Sequence, residues 1–378
     1  MSDPLHTDDA PRVLFMGPLP PPIGGYVSLF VALLAAWKTR TGAEPSVVNT
    51  SPGRVKSHPG IGNVYDVMRG FQIAIKLFEA ARSHDAVVFV TTTGLFQRMM
   101  PVIRFVRRRF DIPFFLWFSG GVVHDVIRAL PPARQRRLLA DLGEIDGVIV
   151  ETGQVLAGMR GLGLERVIAI PNPRVVDRDA LPAPRSHPAS PDGLRLVFFS
   201  RIVEDKGIFV LLDAVRRLAS EGVALALDIY GTIDPEYTMA FEVACRDTPG
   251  ARYRGVHQGD APALLSSYDA VVLPTWFPRE GHPGVLVEAM MAGVPVITTR
   301  HMAIPELVDD GENGVLVAPN DVASLADGIR RMAADPEARF AMGAAHRRRL
   351  TRHDAGEAAG KLLEQIDRAR SVRALAGR

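Results

Sequence analysis

A chain of 378 residues is long enough for about two or three domains. With 47% hydrophobic residues and a formal net charge of +2, it has the composition of an ordinary soluble globular protein, and no nucleic-acid partner is expected. Its single cysteine, Cys245, excludes an intramolecular disulfide and a cysteine zinc cluster.

The first residues, Met1-Ser2-Asp3-Pro4-Leu5-His6, are polar and acidic and do not read as a signal peptide. The longest apolar run, 26–37, is short for a membrane span and contains Ser28, so a cytoplasmic location is expected. Charge is unevenly spread. Residues 1–180 hold 21 Lys+Arg against 16 Asp+Glu, and residues 181–378 hold 23 against 26. Either this is ordinary surface scatter, or the basic half faces an acidic partner or membrane surface.

From the N-terminus onward, short apolar runs alternate with helical patterns. Runs at 12–16, 46–49, 86–90, 113–117, 148–150 and 167–170 predict strands, and 25–39, 67–82 and 94–109 predict helices between them. This alternation predicts an α/β domain with a doubly wound parallel sheet over residues 1–178. Within it, the segment 97–110 mixes arginines with large apolar residues, and Met99, Val102, Ile103 and Val106 would share one helix face. That face either packs on the sheet with solvated arginines outside, or lies on an anionic membrane as a peripheral contact. Residues 179–193 are rich in Pro, Ser and Asp and read as a linker.

The alternation restarts at 194–199, 224–230, 252–255, 270–273, 294–298 and 314–317, predicting a second domain of the same kind over 194–352. The end, 353–378, is helical in pattern. Ligands of open parallel sheets bind beyond the C-terminal strand ends, so two Rossmann-like domains joined by a linker would face an interdomain cleft.

Chemistry concentrates in two stretches of the second domain. The run 194–199 leads into Ser200-Arg201, then Glu204-Asp205-Lys206-Gly207, then a helix from Ile208. Only five of the 44 Lys+Arg residues are lysines, so Lys206 suggests a need for a compact point charge; the alternative is a solvated loop lysine. Further on, Glu280 and Glu288 lie eight positions apart in Arg279-Glu280-Gly281-His282-Pro283-Gly284-Val285-Leu286-Val287-Glu288. Pro283 suits the first turn of a helix, and Gly293 would end it. Glu280 would precede the helix N-terminus and Glu288 would stand about two turns in, an arrangement suited to an anionic, hydroxyl-rich ligand. The plain alternatives are an N-terminal capping acid and a helix-surface glutamate.

The pattern Glu-x7-Glu followed by Ala289-Met290-Met291-Ala292-Gly293-Val294-Pro295-Val296-Ile297 resembles the donor site of retaining GT-B glycosyltransferases of family 4, the bacterial glycosyl transferases group 1 of surface-polysaccharide type. The resemblance implies that Arg201 and Lys206 hold the donor diphosphate, where two fixed cations would stabilise the leaving charge. It places Glu280 on the transferred sugar and Glu288 on the ribose hydroxyls. The backbones of His282, Gly284 and Val285 would face the diphosphate or sugar. Gly231 would be the glycine at a strand tip, Val256 would lie in the segment cradling the base, and Thr275 would lie near the same pocket. In the first domain, Gly24 and Gly25 resemble the family's Gly-Gly loop, whose backbone approaches the donor phosphates.

Several positions depart from the family pattern. Ser200 replaces a glycine, and His282 stands where many relatives have Phe or Leu. Ser119 stands where relatives have a sugar-contacting histidine, and His124, five residues on, either substitutes for it or sits in a surface turn. Asn172 resembles the asparagine ending the first domain's last strand. The resemblance further implies transfer from a UDP- or GDP-sugar to a glycan or lipid-linked acceptor, with retention and with no metal or cofactor. It also implies a C-terminal helix that crosses back to the first domain. The Asp-x-Asp at 177–179 falls at the linker and reads as solvated. A catalytically silent GT-B partner protein and a nucleotide-sugar epimerase are the competing readings.

Overall fold

In the computed structural model, the described residues are 10–21, 25–51, 64–182 and 193–376. Gly24 and most of the 179–193 segment therefore lie outside them. The chain forms two compact units, Met1–Val175 with His353–Arg378, and Val176–Arg352.

The first unit runs β1 (Val13–Gly17), α1 (Gly25–Thr41), β2 (Ser46–Asn49), α2 (Val64–Ala80), β3 (Ala86–Thr91) and α3 (Thr93–Phe110). It continues with β4 (Phe114–Phe118), α4 (Val123–Arg128), α5 (Pro132–Gly143), β5 (Gly147–Val150), α6 (Gly153–Arg160) and β6 (Val167–Ala169). All six strands are parallel, in the order β2-β1-β3-β4-β5-β6. A parallel sheet is covered on both faces, so its strands read as unbroken apolar runs. Strand β4 shows this. Phe114, Leu116 and Phe118 pack toward α2, α3, α5 and α6, while Phe115 and Trp117 pack toward α1 and the C-terminal helix.

The second unit runs β7 (Leu194–Phe199), α7 (Ile208–Ser220), β8 (Leu225–Tyr230), α8 (Thr238–Arg246), β9 (Ala251–Gly255), α9 (Ala261–Leu265) and β10 (Ala270–Leu273). Then follow α10 (Gly284–Ala292), β11 (Val296–Thr299), β12 (Gly314–Val317), α11 (Val322–Ala334) and α12 (Pro336–Arg348). Its strand order is β12-β11-β10-β7-β8-β9, again parallel. The chain starts in the middle, winds outward through β8 and β9, then returns to place β10 on the other side of β7. The β7/β10 boundary is therefore the topological switch point, where crossover loops leave in opposite directions.

Helix α13 (Ala355–Ala376) belongs to the first unit. Ala355, Ala358, Ala359, Leu362, Leu363 and Ile366, at helical spacing, are buried with Leu29, Phe30, Leu33 and Trp37 of α1. Its start is fixed by hydrogen bonds from Arg174 N to His353 O (2.7 Å) and from Ala355 N to Arg174 O (2.8 Å). Asn172 takes part in this junction, its Oδ1 accepting from Arg174 (2.7 Å) and its carbonyl oxygen lying 3.0 Å from His353 Nδ1. Its position is explained by anchoring the returning chain.

Of the two readings of the α3 face, packing on the sheet holds: Met99, Ile103 and Val106 are core residues, joined by Phe96 and Met100, while Val102 is only half-buried. Two expectations need correction. His124 is not in a surface turn. It is buried in α4, its ring set so closely over Gly158 of α6 that a Cβ there would lie 2.1 Å from it. Burial holds its pKa below the usual histidine value. Finally, α10 starts at Gly284, so Glu288 stands about one turn into the helix and not two.

Candidate active site

The residues after β7 and β10 converge at the switch point. Beyond β7 come Ser200 and Arg201, then a 3-10 turn, Glu204–Lys206, ending at Gly207 in the left-handed region (φ 81°). A Cβ on Gly207 would lie 2.1 Å from Pro274 O, so only glycine lets this turn press against the end of β10. Gly231, beyond β8, has φ 146°, and a Cβ there would fall 1.8 Å from Ser200 O. Ser200 N donates to Tyr230 O (3.1 Å), closing the strand tips together. The two glycines set how closely neighbouring loops approach.

The β10 loop supplies the other half. Its backbone is tied to the Lys206 turn by Trp276 N donating to Asp205 O (2.8 Å). It is tied to the end of β11 by Thr299 Oγ1 donating to Thr275 O (2.5 Å). The turn then carries Glu280 inward. Lys206 Nζ donates to Glu280 Oε2 at 2.5 Å, and Thr275 Oγ1 donates to the same oxygen at 2.9 Å. Thr275 Oγ1 also lies 3.2 Å from Asp205 O. A hydroxyl has one proton, and the nearer, charged carboxylate takes it. Phe277 N donates to Thr275 Oγ1 (3.1 Å), which places the Phe277 ring 4.7 Å from Lys206 Nζ and 5.9 Å from the Arg201 guanidinium. Both cations thus lean toward one aromatic face.

The pair differs sharply in exposure from its neighbour. Lys206 and Glu280 are buried, whereas Arg201 is exposed. One ammonium proton binds Glu280, and two remain for an incoming anion. Glu280 Oε1 has no hydrogen-bond partner among the described residues, leaving it able to accept from a ligand hydroxyl. The local sum of Arg201, Lys206 and Glu280 is one positive charge, fit for a diphosphate with a hydroxyl-bearing group attached.

Helix α10 extends this arrangement. It is apolar nearly all round, with Val285, Leu286, Val287, Ala289, Met290 and Ala292 buried. Gly284, Glu288 and Met291 are only half-buried, and their i, i+4, i+7 spacing makes them the one open stripe. A glutamate on a buried helix is thereby directed to that opening rather than to general solvent. The helix N-terminus at Gly284 and Val285 presents backbone N–H groups without intrahelical acceptors. His282, just before it, is buried, with Nε2 3.3 Å from Glu306 Oε2 in the 3-10 turn Ile304–Glu306. The start of α10 thus lies against the segment after β11.

The structure thus gathers Arg201, Lys206 and Glu280 in one cluster, with Gly231 at the adjoining strand tip and Glu288 on the stripe of α10. Val256 follows β9, two strands out from β7, and is exposed. Gly25 opens α1, and Ser119 follows β4 with its N–H donating to Thr91 O (3.3 Å), both in the first unit. Asp177 Oδ1 accepts from Asp179 N (3.0 Å), a local turn on the surface. Sequence reasoning missed Phe277, and it set Thr275 near the base pocket without foreseeing that its hydroxyl would bind Glu280. The only signal for Phe277 was its position shortly after the β10 run.

The fold so built is GT-B, two α/β units each with a six-stranded parallel sheet. Among solved structures, Anabaena Alr3699/HepE in complex with UDP is similar with a TM-score of 0.72 at 16% identity, over 94% of this chain and 99% of that one. Sucrose-phosphate synthase from Thermosynechococcus elongatus is similar with a TM-score of 0.71 at 20% identity, over 97% and 99%. At such identities the likeness shows the fold alone.

Residues 193–335 match the family of glycosyl transferases group 1. Over 158 residues the chain is 34% identical to the "Putative colanic acid biosynthesis glycosyltransferase WcaL" of Escherichia coli (strain K12), covering 38% of this chain and 37% of that protein. Over 160 residues it is 28% identical to the capsular polysaccharide biosynthesis glycosyltransferase CapM of Staphylococcus aureus, covering 42% of each. The match therefore spans less than half the length of either relative.

Proposed function

We propose that this protein is a glycosyltransferase that moves a sugar from a UDP- or GDP-sugar to a glycan or lipid-linked acceptor, with retention of configuration, in surface-polysaccharide assembly. The observation that carries the reading is the Lys206–Glu280 pair beside Arg201 at the β7/β10 switch point. Support for the transferase class comes from the matched family, support for a nucleotide-sugar donor from the similar fold solved in complex with UDP, and support for the setting from relatives named for colanic acid and capsular polysaccharide biosynthesis.

On this reading Arg201 and Lys206 bind the diphosphate and stabilise the charge that builds as the sugar departs. Glu280 holds Lys206 and accepts a hydroxyl of the transferred sugar. Glu288 accepts from the ribose hydroxyls, and the α10 N-terminus faces the phosphates. The leaving phosphate takes the acceptor proton on the same face, so catalysis is positioning and electrostatics with no enzyme nucleophile. No metal or cofactor is required.

The test is turnover of a panel of UDP- and GDP-sugars by purified protein, with and without EDTA. Sugar release or transfer that persists in EDTA supports the reading, and strict metal dependence contradicts it. Nucleotide binding with no turnover of any donor would favour a catalytically silent partner, the reading that the Ser119 substitution favours.

A further inference from the structure

With Met99, Ile103 and Val106 in the core, the other side of α3 forms a surface with α2 in the same unit. Phe105 of α3 is 58% exposed, and on the neighbouring α2 Phe71 and Ile75 are 72% and 49% exposed. Phe71, Ile75 and Phe78 follow one another at i, i+4 and i+7, and so share one side of α2. Phe78 stacks on Phe105 at 6.0 Å and meets Phe110 edge-on at 5.1 Å. These contacts make one apolar strip across the two helices. Soluble surfaces carry scattered apolar residues, but a contiguous aromatic strip marks an interaction site.

The charges around the strip have one sign for the most part. Lys76, Arg82, Arg98, Arg108 and Arg109 are exposed along it, against Glu79 of α2, Glu144, which lies 3.7 Å from Arg108, and Asp111 at the end of α3, which is paired with Arg373 of the C-terminal helix. Arg82 and Arg109 lie over the Phe78 and Phe110 rings at 4.9 and 5.3 Å, which sets basic heads at the rim of the aromatic strip. Arg104 and Arg107 are not part of this rim, because they are engaged with Asp141 and Asp146.

We propose that this α2–α3 strip docks the protein on an anionic lipid surface, with Phe71, Ile75 and Phe105 entering the headgroup region and the basic rim meeting lipid phosphates. The proposal rests on the reading above for a lipid-linked acceptor. Charge complementarity selects the occupant. A second copy packed about a two-fold axis would set the same arginines against each other, whereas anionic lipid neutralises all of them.

The experiment is flotation of the full chain with phosphatidylcholine vesicles, with and without phosphatidylglycerol, at low and high salt. The variants are Phe71→Ser with Phe105→Ser, and Arg98→Glu with Arg109→Glu, all at exposed positions. Wild-type protein should float only with the anionic vesicles at low salt, and each double variant should lower the bound fraction about tenfold. No flotation of wild type, or equal flotation of the variants, overturns the proposal. So does a concentration-dependent dimer abolished by Phe71→Ser with Phe105→Ser, which would assign the strip to a second copy. Calorimetry with UDP and GDP on the same variants keeps the two readings separate. Lost flotation with intact nucleotide binding tests the surface, and intact flotation without donor turnover counts against the transferase alone.

Discussion

Lys206 Nζ lies 2.5 Å from Glu280 Oε2, although 74 residues separate them and their side chains are only 10% and 9% exposed. A buried charge pair is costly to assemble and costlier to break, because removing one partner strands the other. Its place at the switch point fits the donor site proposed above. The lysine keeps donors for an anion, and the glutamate keeps one oxygen for a hydroxyl.

Lys206→Ala should lower turnover about 100-fold and also destabilise the fold by about 3 kcal/mol, since Glu280 is left buried without its counter-charge. Adding Glu280→Gln should recover much of the stability and none of the turnover. Urea unfolding alongside steady-state kinetics checks both. A single variant as stable as wild type would show that the pair is not coupled.

Arg201→Ala separates function from folding, because Arg201 is exposed. Turnover should fall about 100-fold with the urea midpoint unchanged. Unaltered kcat would remove Arg201 from the diphosphate site.

Thr275→Val deletes the hydroxyl that donates to Glu280 Oε2 and leaves the volume nearly the same. The glutamate then has one fewer tether, and kcat should fall about tenfold, with Thr275→Ser restoring most of it. Equal loss in the serine variant would point to packing instead.

Glu288→Gln should weaken binding of the nucleoside diphosphate by about 1.5–3 kcal/mol, the range for a hydrogen bond to a charged group. Titration calorimetry measures it, and unchanged affinity would place Glu288 outside the ribose contact.

His346 makes a pH prediction. It is fully buried, with Nδ1 3.1 Å from Asn313 Nδ2 and Nε2 3.1 Å from Leu286 O. An amide nitrogen only donates, so Nδ1 accepts and Nε2 carries the proton. Burial pushes its pKa down to about 4. The folded ring stays neutral where the unfolded chain, with a histidine pKa near ~6.5, takes up a proton. Its contribution is therefore fully present above about pH 6.5 and lost as pH falls toward 4, with a limit of about 3 kcal/mol. Urea midpoints from pH 8 to 4 should show this slope, and His346→Gln should flatten it. An equal slope in the variant would assign acid loss to other groups.

Much of the fold was legible because parallel strands are buried on both faces. Val13–Gly17, Phe114–Phe118 and Ala270–Leu273 are apolar runs with no alternation to misread. Pro283 and Gly293 bracket α10 through local backbone chemistry alone, a helix start without an N–H and a left-handed end at φ 68°. The resemblance supplied Arg201, Lys206, Glu280 and Glu288 as a set, and the hydrophobic pattern supplied the elements that carry them.

What the pattern could not supply was pairing and orientation. Helical spacing puts Met99, Ile103 and Val106 on one face of α3 but does not say whether sheet or lipid covers it. The core decides, and it turns Phe105 outward beside Phe78. His124 read as a turn residue because nothing nearby in sequence announces Gly158, the residue that makes room for its ring. Lys206 meets Glu280 only because β10 returns to lie beside β7. Periodicity and turn residues specify local backbone and the apolar side of each element, because those depend on neighbours within a few positions. Which strands adjoin, and therefore which distant side chains share a site, depends on crossover direction and packing between whole elements, and tertiary structure alone decides that.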